Sequence, residues 1–153
     1  MKNTPGFTLI ETIIYLALFS VIIGGGMVAA YQIAANTEAN YNHIILEEES
    51  NFLLRKINQS LVGAASVDFP APGELFISNP GAPAIWFKAT GSNLQITRGS
   101  ISTVLNSASV AVLDLSFTAT LQQPGVITNL TLSTTRSGKK ASEHFLLTNY
   151  LQP

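Results

Sequence analysis

Between Glu11 and Glu38 lie twenty-six consecutive residues without a formal charge, most of them apolar. No other feature constrains the fold as tightly. A helix rises about 1.5 Å per residue, so this run crosses a hydrocarbon core of roughly 30 Å with length to spare. A helix that is apolar all round must be covered on every side, by lipid or by other chains. Glu11 breaks the pattern. It lies inside the apolar run that begins at Phe7, where a bare carboxylate is costly. An ionisable group in such a place marks a function and asks for a named partner.

The chain has 153 residues, enough for one domain and an appendage. Only 11% of them are charged, against about 25% in a typical globular protein. The part beyond the apolar run is therefore a small polar domain rich in Ser, Thr and Asn. The formal net charge is −1, and no basic cluster exceeds Arg136 with Lys139-Lys140. Direct binding of nucleic acid needs a basic patch or stripe and is not expected. Without cysteine there is no disulfide, zinc–thiolate site or thiol nucleophile. Past Glu74 the acidic residues are Asp114 and Glu143, too few and too far apart for a hard-cation site. No metal or other cofactor is expected. The sequence has no G-x-S-x-G elbow, H-E-x-x-H helix or P-loop, so an enzyme is not expected either.

Residues 1–6 (MKNTPG) read as a short polar leader, with Pro5-Gly6 a break before the helix. From Phe7 the pattern is helical, since proline is absent until Pro70. Gly24, Gly25 and Gly26 form a soft turn in an otherwise continuous helix, because each glycine costs about 1 kcal/mol relative to alanine. Beyond Ala35 the helix becomes amphipathic. Leu46, Leu53, Ile57 and Leu61 fall within about 80° on a 3.6-residue wheel, with Arg55 nearly opposite. Gly63 supplies a C-terminal cap. A helix from Phe7 to about Gly63 is about 84 Å long, more than its own small domain can cover. After the turn-rich Asp68–Gly73, short β-branched and aromatic runs follow: 74–78, 84–89, 93–97, 101–105, 110–120, 126–134 and 143–151. Gly91-Ser92 and Pro124-Gly125 read as hairpin turns, and Ser137–Lys140 as a longer one. The fold class expected is α+β: a long N-terminal helix packed on a small C-terminal antiparallel β-sheet. Its parts are a leader (1–6), a transmembrane or assembly helix (7–35), an amphipathic half (36–63) and a β-rich domain (64–153).

Gly6-Phe7-Thr8-Leu9-Ile10-Glu11, with Lys2 before it and the apolar run behind it, closely resembles the class III signal of type IV pilins and type II secretion pseudopilins. The resemblance implies a prepilin peptidase that cuts between Gly6 and Phe7 and then N-methylates Phe7. It also implies that Glu11 pairs with the N-terminal amine of a neighbouring subunit. Two opposite charges, each costly in lipid, become tolerable together, and the pair sets axial register. The function implied is structural: a minor pilin or pseudopilin of a type IV pilus, type II secretion or DNA-uptake filament. Such a subunit waits as a single-pass protein of the bacterial inner membrane, N-terminus cytoplasmic and β domain outside. Its partners are the peptidase, other pilin subunits through the helix, and lipid before assembly. The late-helix Leu53-Leu54-Arg55 and the strands 110–120 and 142–151 look like minor pseudopilins of the J type. The chain departs from major pilins in having no proline late in the membrane run, no disulfide, and no calcium-binding set of carboxylates.

The alternative is a single-span anchored protein whose β domain binds a ligand. Smaller features read plainly. His43 and His144 are surface or satisfied residues. Glu47-Glu48-Glu49 is a solvated face, or a contact for Arg55-Lys56 of a neighbouring copy. Trp86, the sole tryptophan, belongs to the sheet core.

Overall fold

The computed structural model describes residues 8–121, 123–136 and 138–151. One helix, α1 (Leu9–Leu61), precedes eight strands: β1 (Ser66–Asp68), β2 (Glu74–Ser78), β3 (Ile85–Thr90), β4 (Asn93–Arg98), β5 (Ile101–Val104), β6 (Val110–Ala119), β7 (Gly125–Arg136) and β8 (Lys139–Tyr150). The leader 1–6 and Phe7 lie outside the described residues. By internal contacts the chain forms two units, Met1–Asn40 and Tyr41–Pro153.

The first unit is the apolar part of α1. Leu9, Ile10, Phe19, Val21 and Met27 are all more than half exposed. An 18-residue window of α1 reaches a mean hydropathy of 2.3 with none of it buried, so the helix is long and apolar enough to span a membrane. Its hydroxyl groups fold back on the helix. Ser20 donates to the Leu16 carbonyl and Thr37 to that of Ile33, both at 2.8 Å. The helix runs through Gly24–Gly26 without a break. Unbroken backbone bonding suits a medium in which freed peptide groups find no water.

The second unit holds the core. Leu46, Leu53 and Ile57 are fully buried and Leu61 nearly so, while Arg55 is exposed, as the wheel of the amphipathic half requires. Ser50 and Ser60 share the buried stripe because each hydroxyl donates to a carbonyl of its own helix, Glu47 at 2.9 Å and Lys56 at 3.0 Å. Gly63, with φ of 75°, takes the left-handed conformation that ends a helix, and the Ala64 N–H donates to the Leu61 carbonyl.

The strands form two antiparallel meanders, a five-stranded sheet ordered β1-β2-β3-β4-β5 and a three-stranded sheet ordered β6-β7-β8. The helix packs against these sheets through a single core. Leu75, Ile77, Phe87 and Leu94 of the first sheet and Val112, Leu115, Leu130 and Leu132 of the second share it with the α1 stripe. The runs of alternating residues led to an expectation of one sheet. They form two, and a side chain bridges them after β5. Asn106 accepts from the Leu94 N–H at 2.8 Å and donates to the Val110 carbonyl at 2.7 Å, tying β4 to the start of β6. The Val112 N–H adds a bond to the Ser92 carbonyl at 2.9 Å.

Several local readings change. Register shifts between Val112 and Asp114, so Leu113 and Asp114 are both exposed and Leu115 is brought inward, which accounts for the broken alternation there. On β7 the inward row is Val126, Thr128, Leu130 and Leu132, so Ile127 belongs to the other face. The Gly91-Ser92 turn is as expected, since Thr90 pairs with Asn93 and Gly91 has φ of 60°. Arg136 pairs with Lys139, which makes that turn tighter than the four-residue one expected. Gly125 is already in β7, so the loop before it spans residues 120–124. Trp86 is not core. Its neighbours Ile85 and Phe87 point inward, and period two leaves Trp86 outward and 39% exposed. There it meets Phe76 edge-on at 6.3 Å, with the Lys88 ammonium 5.8 Å from its ring.

Candidate assembly site at the helix N-terminus

Thr8 is the residue that starts α1. Its carbonyl accepts the first intrahelical bond, from the Thr12 N–H at 3.2 Å, while Thr8 itself stands outside the helix. Its hydroxyl accepts from the Glu11 N–H at 3.4 Å. In return the Glu11 carboxylate oxygen Oε2 accepts from the Thr8 N–H at 3.4 Å and from the Thr8 hydroxyl at 3.3 Å. This reciprocal arrangement is a capping box, which satisfies two of the amide donors that a helix start leaves without partners. Glu11 also stands in the first turn, where the helix dipole favours an anion.

The geometry answers part of the question raised by the apolar run. A cap contributes about 1 kcal/mol and the dipole roughly 0.3–1 kcal/mol. An ionised side chain at the centre of a bilayer costs about 2.5–3.5 kcal/mol on insertion scales. Glu11 is nearer the end of its span, so local bonding offsets a large share of a smaller cost. Among the described residues no group donates to Oε1, and a carboxylate with one oxygen unpaired still attracts a cation.

The other residues of this segment are placed unevenly. Gly6 and Phe7 lie outside the described residues. Gly24, Gly25 and Gly26 are helical, and a Cβ added to any of them would meet nothing within 4 Å among the described residues, so packing among those does not require glycine there. Thr8 went unrecognised in the sequence although its signal was present: Thr-x-x-Glu directly ahead of an apolar run is the spacing of a capping box.

Charged groups of the second unit serve their own domain. Glu49 does not join a solvated face. Its Oε1 accepts from the Ser107 N–H at 2.6 Å and anchors the loop before β6, while Glu47 and Glu48 are exposed. Lys56 lies 5.7 Å from the Phe52 ring. His43 pairs with Glu143 of β8, and Lys88 with Glu74 at 2.8 Å. His144 is exposed on β8. Among the described residues no group of three His, Asp or Glu side chains is placed to hold a metal ion. An open depression of about 610 Å³ at one end of the second sheet is lined by Thr118, Thr120, Leu121, Ile127, Thr148 and Tyr150, without a charged side chain.

With this geometry in hand, comparison with known proteins picks out the same segment. Residues 1–27 match the family described as the prokaryotic N-terminal methylation motif. The methylation motif takes in Thr8, Glu11 and Gly24–Gly26, and it ends inside the apolar run. It is the prepilin-type signal found on type IV pilin-like proteins. No curated protein and no solved structure matches the chain.

Proposed function

We propose that the protein is a structural subunit of a type IV pilin-like filament, made as a prepilin. Prepilin peptidase removes residues 1–6 between Gly6 and Phe7 and methylates the new N-terminus at Phe7. Residues 7–35 anchor the subunit in the inner membrane, with its N-terminus cytoplasmic and residues 64–153 outside. The same residues then form the filament core, while 36–63 fasten the helix to the β domain. Glu11 sets register by pairing with the amine of a neighbouring copy, and Gly24–Gly26 supply a turn that can extend on leaving lipid. The machine is a type IV pilus, a type II secretion system or a DNA-uptake apparatus. The missing calcium-type carboxylates favour a minor subunit, and the closing strands are similar to the J type.

One observation carries this reading: the methylation motif runs straight into a helix whose apolar side chains are exposed on every side. A surface of that kind suits lipid first and other helices later. The test is the mature N-terminus. Mass spectrometry of protein made alongside a prepilin peptidase should give methylated Phe7, and any other N-terminus would refute the proposal. Glu11→Ala should abolish assembly into filaments and leave membrane insertion intact. The open depression of the second sheet is what favours the alternative, an anchored ligand-binding domain. Normal function with Glu11→Ala and an uncut leader would support it.

A further inference from the structure

We infer that Thr8 is a positioning residue for assembly, which holds Glu11 by one carboxylate oxygen so that the other is presented to a neighbouring copy. The inference rests on the filament reading and adds a residue and a division of labour to it. Both Thr8 donors converge on Oε2, the backbone N–H at 3.4 Å and the hydroxyl at 3.3 Å. Glu11 in turn is fixed at its own N–H by the Thr8 hydroxyl at 3.4 Å. A glutamate has three side-chain torsions, and in an apolar medium an unrestrained one curls toward whatever donor it finds. The capping box removes that freedom. Orienting the carboxylate beforehand lowers the ordering cost that a neighbour would otherwise meet on docking. A carboxylate accepts several hydrogen bonds, so the cap and a cation are held together rather than in competition.

A threonine that only started the helix would give a different result from one that orients Glu11. The test uses the full chain made in a bacterial membrane with prepilin peptidase. The protein has no cysteine, so single cysteines at Val21 or Met27, each 73% exposed, report contact between copies without background. Thr8→Val keeps the shape and deletes the hydroxyl. It should lower the crosslinking yield about fivefold, the equilibrium effect of losing a typical cap. Thr8→Ser should restore the yield to within about twofold of the parent chain. The second readout is the Glu11 carboxyl carbon by ¹³C NMR in lipid, assigned by its disappearance in Glu11→Gln. It should move in Thr8→Val and stay in place in Thr8→Ser.

An unmoved carboxyl signal in Thr8→Val overturns the inference, whatever the crosslinking yield, because Thr8 then acts on the helix or on processing alone. A moved signal with undiminished crosslinking overturns it too, because orientation then does nothing for docking. In both cases the filament reading stands, provided the parent chain begins at Phe7 and its copies crosslink. If the parent chain does neither, the filament reading itself falls.

Discussion

Asn106→Ala offers a measure of how the two sheets are held together. The side chain is 8% exposed and sits between β5 and β6. Truncation strands the Leu94 N–H, on a fully buried residue, and the Val110 carbonyl, on one only 2% exposed. Weaker contacts to the Ser92 carbonyl and the Asn93 side chain, both at 3.3 Å, are lost with them. Each buried group left without a partner costs about 1–3 kcal/mol, so the expected loss is about 2–5 kcal/mol. Set against a total stability of about 5–15 kcal/mol, that is large. Trp86 provides the assay. It is the sole tryptophan and stands on the outer face of the first sheet against Phe76, so its fluorescence follows urea unfolding in a fixed detergent. The midpoint should fall by about 1–2 M with the slope unchanged. Asn129→Ala is the control, because Asn129 makes a single half-buried bond to Ser116 at 3.3 Å and should cost under about 1 kcal/mol. If Asn106→Ala cost no more than the control, the amide would not be what joins the sheets.

Two further substitutions probe the second sheet by the same assay. Thr128 is fully buried and its hydroxyl has no partner among the described residues, so Thr128→Val should raise stability by about 1 kcal/mol; a lower urea midpoint would show that the hydroxyl is bonded after all. Gly125→Ala should cost about 1–3 kcal/mol by overpacking, since its Cβ would come within 2.5 Å of the Asn149 carbonyl oxygen and 2.9 Å of the Thr120 hydroxyl. An unchanged midpoint for that variant would mean that β7 and β8 can part at this end without loss.

The parts that were legible in sequence are those in which neighbours along the chain decide the outcome. The stripe of Leu46, Leu53, Ile57 and Leu61 is read from a 3.6-residue period, and all four are buried. The turn at Gly91 and the helix end near Gly63 follow from the one residue type that takes positive φ without strain, and both glycines do so. Strands β2 to β7 came through near their expected bounds for the same reason, whereas β1 was not expected and β8 starts at Lys139 rather than at residue 143. What escaped was whatever depended on which face of a strand meets which partner. Trp86 reads as core because it is large and apolar, yet period two fixes only that it opposes Ile85 and Phe87. Glu49 reads as one of three solvated carboxylates until the loop at Ser107, 58 residues away, brings an N–H to it. Thr8 is a different kind of omission, since its spacing to Glu11 is local and was there to be read.

By itself the sequence determined that this chain needs a medium other than water. Twenty-six uncharged residues make a helix long and apolar enough to span a membrane, and the methylation motif takes in the first part of them. It also determined that one acid, Glu11, would stand at the head of that run. The division of the strands into two sheets, bridged by an asparagine that reaches backbone groups on β4 and β6, was decided only in three dimensions. The bonding of Glu11 lies between these cases. The spacing names its partner, but only the folded helix start shows that one oxygen is held while no described residue donates to the other. Hydrogen bonds are directional, and direction is set by the fold rather than by composition.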